Sequence, residues 1–281
     1  MRAIGELIRF WRRFTFESNI HPDDELGMGR HVRLITNQTS GGVECFLSQN
    51  TSKRRLKCSS RPHVDLTPVP YMGNLRSADI FLLMRNPVLG YADYGTDSCP
   101  AFQKALKANI CQSKQNGSCL ALNPEFWWSS WFLYYEHLLH GAICEYSSQT
   151  GKTYLEALKI LADRMAILEL SPYYSTDSNW LRDKAKELES TRRVKSAADD
   201  LKQKAKGGRA LVIVRWKPAM WGFESADETE HPSNICFVSS RNGLGHAPEL
   251  ITRFLQLEKC TALGRRVRRP EKPFTLSSPQ T

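Results

Sequence analysis

Four short apolar runs, each stopped by polar residues, organise the middle and the end of this chain: Ile80–Met84, Met165–Leu170, Ala210–Val214 and Ile235–Val238. Runs of this length that are apolar without alternation predict strands buried on both faces. Between and after them the spacing predicts helices over roughly 126–140, 154–164, 180–206 and 248–257. Strands alternating with helices imply a mainly parallel sheet with helices on both faces. The expected fold is therefore α/β, a three-layer sandwich around a central parallel four-stranded sheet.

Ahead of the first run the pattern changes. Ile4 to Phe14 has helical periodicity and is basic and amphipathic. Such a stretch either rests on a membrane surface or, more often, packs on its own domain, which is the reading adopted. His31–Thr36 and Val43–Leu47 read as strands joined through Gly41-Gly42 in a hairpin. Lys53-Arg54-Arg55-Leu56-Lys57 is a cluster suited to phosphates, although such runs are usually just solvated. The organisation expected is a basic N-terminal region over 1–65, packed on or flanking the core, an α/β domain over 66–260, and a basic flexible tail over 261–281.

Charge sharpens the choice of partner. The chain carries 39 Lys plus Arg against 29 Asp plus Glu in 281 residues, a net charge of +10. That excess favours polyanions, nucleic acid first and anionic membrane second, with a merely soluble basic protein as the plain alternative. No apolar stretch approaches the ~18 residues of a membrane span. The eight cysteines form no C-x-x-C pair, and neither Cys58 with His63 nor His140 with Cys144 makes a recognised zinc pattern. No metal and no cofactor are expected. With no secretory signal in view, reduced thiols in a cytoplasmic protein are the better reading.

Two tempting motifs are set aside. Gly151-Lys152-Thr153 lacks the first glycine of a P-loop, because Tyr146 stands there. Phe126-Trp127-Trp128 with Trp131, Phe132, Tyr134 and Tyr135 has the aromatic density to stack bases, but at helical spacing it reads more readily as core.

The strand ends carry the candidate chemistry. They are Arg85-Asn86-Pro87, Ser171-Pro172-Tyr173, Arg215-Trp216-Lys217 and Ser240-Arg241-Asn242-Gly243-Leu244. In a parallel sheet these converge on one edge, where open α/β sheets bind their ligands. Amides, hydroxyls, aromatic rings and cations together suit a nucleotide. For Asn86 the competing reading is a simple turn that ends a core strand.

In order and content these strand ends resemble the uracil-DNA glycosylase superfamily over about residues 66–258. There the first strand ends in a motif such as G-I-N-P-G, whose Asn or Asp places the attacking water. Met84-Arg85-Asn86-Pro87-Val88 matches at Asn86 and Pro87. Ser171 falls at the base-reading end of the second strand, and Val214-Arg215-Trp216-Lys217 is similar to the third. Ser240-Arg241-Asn242-Gly243-Leu244 lines up at Gly243 and Leu244 with the loop that enters the minor groove. Arg85 and Val88 depart from the family by replacing smaller residues, and Arg85 stands where it would crowd a pocket.

The resemblance implies a base-excising hydrolase acting on DNA, duplex or single-stranded. Asn86 would hold the water, and Asp93 would act as a base or stabilise a developing sugar cation. Tyr91 and Tyr94 would stack on the flipped base beside Ser171. Lys217, Arg241 and Asn242 would contact the DNA, and Leu244 would fill the gap in the stack. The alternatives are a non-catalytic nucleic-acid-binding protein of the same fold and an enzyme on a free nucleotide. For each tyrosine packing is the competing role, and for Lys217 and Arg241 it is solvated surface charge.

Overall fold

The computed structural model describes residues 2–28, 62–90, 92–113, 117–175, 188–223, 234–238 and 243–262. The expected hairpin over 31–47, the 53–57 cluster, the basic tail, Tyr91, Arg241 and Asn242 lie outside the described residues.

All four apolar runs are strands: β2 (Ile80–Met84), β3 (Met165–Glu169), β4 (Leu211–Arg215) and β5 (Ile235–Val238). Every side chain of β2, β3 and β4 is buried, which explains why these strands read as continuous apolar runs. The four pair in parallel, in the order β3-β2-β4-β5. Among the described residues a fifth strand joins the expected four. The fifth, β1 (Tyr71–Met72), runs antiparallel on the free edge of β3. Two residues between a proline and a glycine are too few to display any period.

Eight helices are described: α1 (Arg2–Trp11), α2 (Glu25–Met28), α3 (Asp93–Asp97), α4 (Pro100–Ile110), α5 (Ser130–Thr150), α6 (Tyr154–Arg164), α7 (Glu189–Lys206) and α8 (Ala247–Ala262). Helix α6 has the predicted bounds. It starts at a capping box between Thr153 and Glu156, which offers two otherwise orphaned donors a partner. The discarded Gly151-Lys152-Thr153 is therefore a helix junction: Gly151, at φ 67°, closes α5 in the left-handed conformation, and Thr153 opens α6. Helix α4 was not expected from the pattern, although Pro100 stands at its start, where a missing N–H costs nothing.

Helix α1 buries Ile4, Leu7, Ile8, Phe10 and Trp11 and packs on α7. Its apolar face thus belongs to the main core rather than to a membrane surface. Helices α6 and α8 both pack on α5, and α7 and α8 both reach β4. No helix among the described residues is long and apolar enough to cross a membrane.

Strand order sets where a ligand can sit. The chain leaves β2 for β3 on one side, then returns past β2 to β4 and on to β5. The carboxyl ends of β2 and β4 are therefore adjacent strands whose onward connections diverge, the position at which open α/β sheets form a crevice.

Candidate functional site

Register brings three chemically different side chains into one row at this edge. Met84 pairs with Glu169, and Leu83 pairs with Val214, so the next step puts Met84 beside Arg215. In a parallel pair, partnered residues project from the same face. Glu169, Met84 and Arg215 therefore share a face, the one met by Tyr134 and Tyr135 of α5.

A pocket of about 290 Å³ opens here. Met84 and Glu169 contribute from the strands, Asn86 and Asp93 from the loop and helix after β2, and Trp131 and Tyr135 from α5. The walls are mostly aromatic and apolar, with a few convergent polar groups, as in small-molecule sites generally.

Asn86 is buried, and its amide orientation is determined. The Nδ2 group donates to the Pro87 carbonyl at 2.9 Å and to Ser175 Oγ at 3.0 Å. A carbonyl only accepts, so the atom beside it must be the nitrogen. Both amide protons are used inside the protein, which leaves Oδ1 to accept from a ligand. The loop that carries Asn86 is pinned as well. Ser175 N–H donates to the Pro87 carbonyl at 3.2 Å, and Leu89 N–H to the Ser175 carbonyl at 3.0 Å. Asn86 is more than a turn residue with a solvated side chain: it is held on a pocket wall.

Asp93 opens α3 and is 3 % exposed. Burial pushes its carboxyl up to about 6, against hydrogen bonds from the Ser130 hydroxyl and the Gly90 N–H. The helix N-terminus and these donors favour the anion, while loss of water disfavours it.

Glu169 was not among the expected site residues. It lies in β3 with 2 % exposure, and Oε1 accepts from the Tyr135 hydroxyl at 3.0 Å. Its Oε2 is buried with no hydrogen-bond partner among the described residues. Burial pushes Glu169 up to about 8, although the Tyr135 bond and the Arg215 charge both favour the anion. At neutral pH the carboxyl is therefore protonated, with a hydroxyl able to donate. A lone glutamate at the end of an otherwise apolar strand was the available signal, because charged side chains are rarely fully buried without a reason.

Arg215 ends β4 and donates to the Tyr134 hydroxyl, its guanidinium 5.7 Å from that ring and 5.8 Å from Trp216. Arg85 lies over the other ring system, 5.4 Å from Trp216. Arg85 is not among the residues lining the pocket, so the expected crowding does not occur. Trp216 and Lys217 are both left-handed, at φ 64° and 38°. Such conformations cost on the order of 1–3 kcal/mol each in non-glycine residues and gather at functional sites.

Other expected residues are placed elsewhere. Tyr94 does not line the pocket. Its hydroxyl donates to Asp65 at 3.0 Å and receives the His63 Nδ1 proton at 2.8 Å. Burial pushes His63 down to about 4, so its ring is neutral and carries a single proton at pH 7. Ser171 is fully buried and not on the pocket. Its N–H donates to the Arg85 carbonyl at 2.9 Å, continuing the β2–β3 ladder by one residue. Lys217 is exposed, as a phosphate contact requires. Leu244 is 3 % exposed and packed in the core, so it is not presented as a wedge. The aromatic block divides: Phe126, Trp131 and Tyr135 are buried, whereas Trp127, Trp128 and Tyr134 are exposed.

The site thus combines an oriented amide oxygen, a carboxylate that titrates near 6, a neutral carboxyl and aromatic walls. No family model, no curated protein and no solved structure matches this chain.

Proposed function

We propose that this chain is a DNA base-excising hydrolase built on a three-layer α/β sandwich, cleaving the N-glycosidic bond of a base turned out of its stack. One observation carries the reading: Asn86 is fixed with only Oδ1 free, in the same pocket as Asp93 and Glu169. Aromatic walls suit a planar heterocycle, and a neutral Glu169 can donate to a carbonyl or ring nitrogen that a glutamate anion would repel.

The chemistry balances with these groups. Asn86 Oδ1 accepts a hydrogen bond from the attacking water and so orients its oxygen towards C1′, where the new C–O bond forms. The glycosidic bond breaks with its electron pair leaving on the base. A hydrogen bond from Glu169 stabilises the charge that develops there. Asp93, ionised above about pH 6, stabilises the cationic sugar, and the water's proton is released to Asp93 or to solvent. The +10 charge and exposed Lys217 favour a phosphate polymer over a free nucleotide.

The test is excision from strands carrying uracil, hypoxanthine or alkylated bases, read as alkali-labile breaks. Asn86→Ala should lose excision by at least about a hundredfold, the usual scale for a group that positions or activates the reacting water. It should keep most DNA binding, because phosphate contacts supply affinity. Equal loss of binding and cleavage would show that Asn86 is structural.

A second reading also has an observation behind it. Both oxygens of Asp93 are already engaged, by Gly90 and Ser130, which is how a structural cap behaves. On this reading the pocket binds a base and cuts nothing, and Asn86→Ala is silent on every substrate in the same assay.

A further inference from the structure

His140 and Cys144, which make no zinc pattern, belong to a different cluster in the fold. Glu136, His140 and Cys144 stand four residues apart along α5, so their side chains form one row on the helix surface. His140 Nδ1 is 3.1 Å from Glu136 Oε1, and His140 Nε2 is 3.4 Å from Cys144 Sγ. None of the three lines the pocket.

The partners of the imidazole fix its proton. Tyr154, the first residue of α6, donates its hydroxyl to Glu136 Oε1, and its oxygen lies 3.2 Å from His140 Nδ1. A carboxylate only accepts, and the tyrosine proton is already committed, so Nδ1 meets two acceptors and is itself the donor. Desolvation opposes the Glu136 anion, but hydrogen bonds from Tyr154 and His140 hold its carboxyl below the usual carboxylate range. Neutral His140 therefore keeps its lone pair on Nε2, facing the sulfur. Nucleophile, base and orienting group stand in sequence, the arrangement that activates a weak nucleophile. Exposure separates this thiol from its neighbours. Among the described cysteines only Cys144 is exposed. Cys236 makes the same contact, with Sγ 3.4 Å from His246 Nε2, yet it is buried, and burial pushes its thiol up to about 11. A buried thiol is inert towards reagents in water, whereas an exposed one beside a base is open to them.

We propose that Cys144 is a modification site, a thiol that His140 and Glu136 activate for exchange with low-molecular-weight disulfides of the glutathione type. His140 Nε2 takes the thiol proton as Cys144 Sγ attacks one sulfur of the disulfide. A new S–S bond forms to Cys144, and the old one breaks with its electron pair on the departing sulfur. That thiolate recovers the proton from His140 and leaves as a thiol. Cys144 is oxidised, the departing half is reduced, and Glu136 stabilises the imidazolium between the two proton transfers. The site is independent of how the pocket is read.

The experiment exposes the reduced full chain to oxidised glutathione at pH 7 and follows the mixed disulfide on the Cys144 peptide by mass spectrometry. Following that peptide alone keeps the other cysteines out of the rate. Cys144 in the folded protein should react at least about tenfold faster than in the urea-unfolded chain, where no base is held beside it. His140→Ala should lose that advantage, and added imidazole should restore part of it, which a purely structural role for His140 would not allow. Glu136→Gln should lie between wild type and His140→Ala. A folded rate at or below the unfolded one overturns the proposal. So does a His140→Ala rate equal to wild type, or a loss that imidazole leaves untouched. Circular dichroism of both variants shows that the helix is intact, and Tyr154→Phe, which keeps the His140–Glu136 pair, repeats the comparison if either variant unfolds: it should retain most of the folded advantage, and its loss to the unfolded rate would overturn the proposal.

Discussion

Asp24 and Glu169 are both buried carboxyl groups held by a tyrosine hydroxyl, and they end in opposite situations. Asp24 receives the Tyr173 hydroxyl at 2.8 Å on one oxygen and the Ser190 N–H at 2.9 Å on the other. Tyr173 in turn accepts from the His21 N–H at 3.1 Å. This network ties the segment after α1 to the start of α7 and to the chain beyond β3, with both carboxyl oxygens used. Glu169 receives the Tyr135 hydroxyl on Oε1 only, its Oε2 lacks a partner among the described residues, and it lines a pocket. Asp24, saturated and outside the lining of the pocket, is structure. A buried carboxyl left half-satisfied at a cavity costs stability, and a ligand can offset that cost. The second kind marks the site.

The comparison is broken or sharpened first by pH. Glu169 has its folded value raised to about 8 from an ordinary 4.5. Between those values the unfolded chain has released the proton and the folded one retains it, so the contribution to stability is full below about 4.5 and is lost as pH rises to about 8. Over that window wild type should lose on the order of 4 kcal/mol relative to Glu169→Gln. Denaturant unfolding at a series of pH values measures it, and parallel curves for the two proteins would mean that Glu169 is not a buried acid.

Next in size is Asp24→Ala. It leaves the Tyr173 hydroxyl and the Ser190 N–H without their partner, and unfolding free energy should fall by roughly 3 kcal/mol at neutral pH. A loss below about 1 kcal/mol would erase the distinction between the two carboxyls.

The pH profile of excision tests the site half of the comparison. On the proposed reading, excision needs Asp93 ionised, above about 6, and Glu169 protonated, below about 8. The rate should be bell-shaped between those limits, falling about tenfold per pH unit outside them. In Glu169→Gln the alkaline limb should vanish while the acid limb stays.

The smallest effect belongs to Tyr135→Phe. It removes one hydrogen bond that favours the Glu169 anion, so the alkaline limb should move to higher pH. Stability should change by about 1 kcal/mol. An unmoved limb would show that Tyr135 packs against Glu169 without tuning it.

Much of the fold was legible because burial on both faces leaves a plain mark. Residues 80–84, 165–169 and 211–215 could be nothing but apolar until the position where each strand meets the edge. Glu169 and Arg215 stand at those positions. Asn86 was visible as a polar residue just past a buried strand, and Asp93 as one in the loop that follows it. Tyr94 was visible for the same reason, but helix α3 turns its ring towards His63 and Asp65.

The sequence by itself determined the parallel order of polar strand ends, the helix over 154–164 and the amphipathic face of α1, because period and burial are local properties of the chain. Only the tertiary structure decided that Glu169 meets Tyr135, and that Arg85 turns away from the pocket onto Trp216. It also decided that the block 126–135 splits into a buried and an exposed half, and that Leu244 is core. Those outcomes depend on which faces long-range packing covers, and hence on desolvation, which no window of neighbouring residues contains.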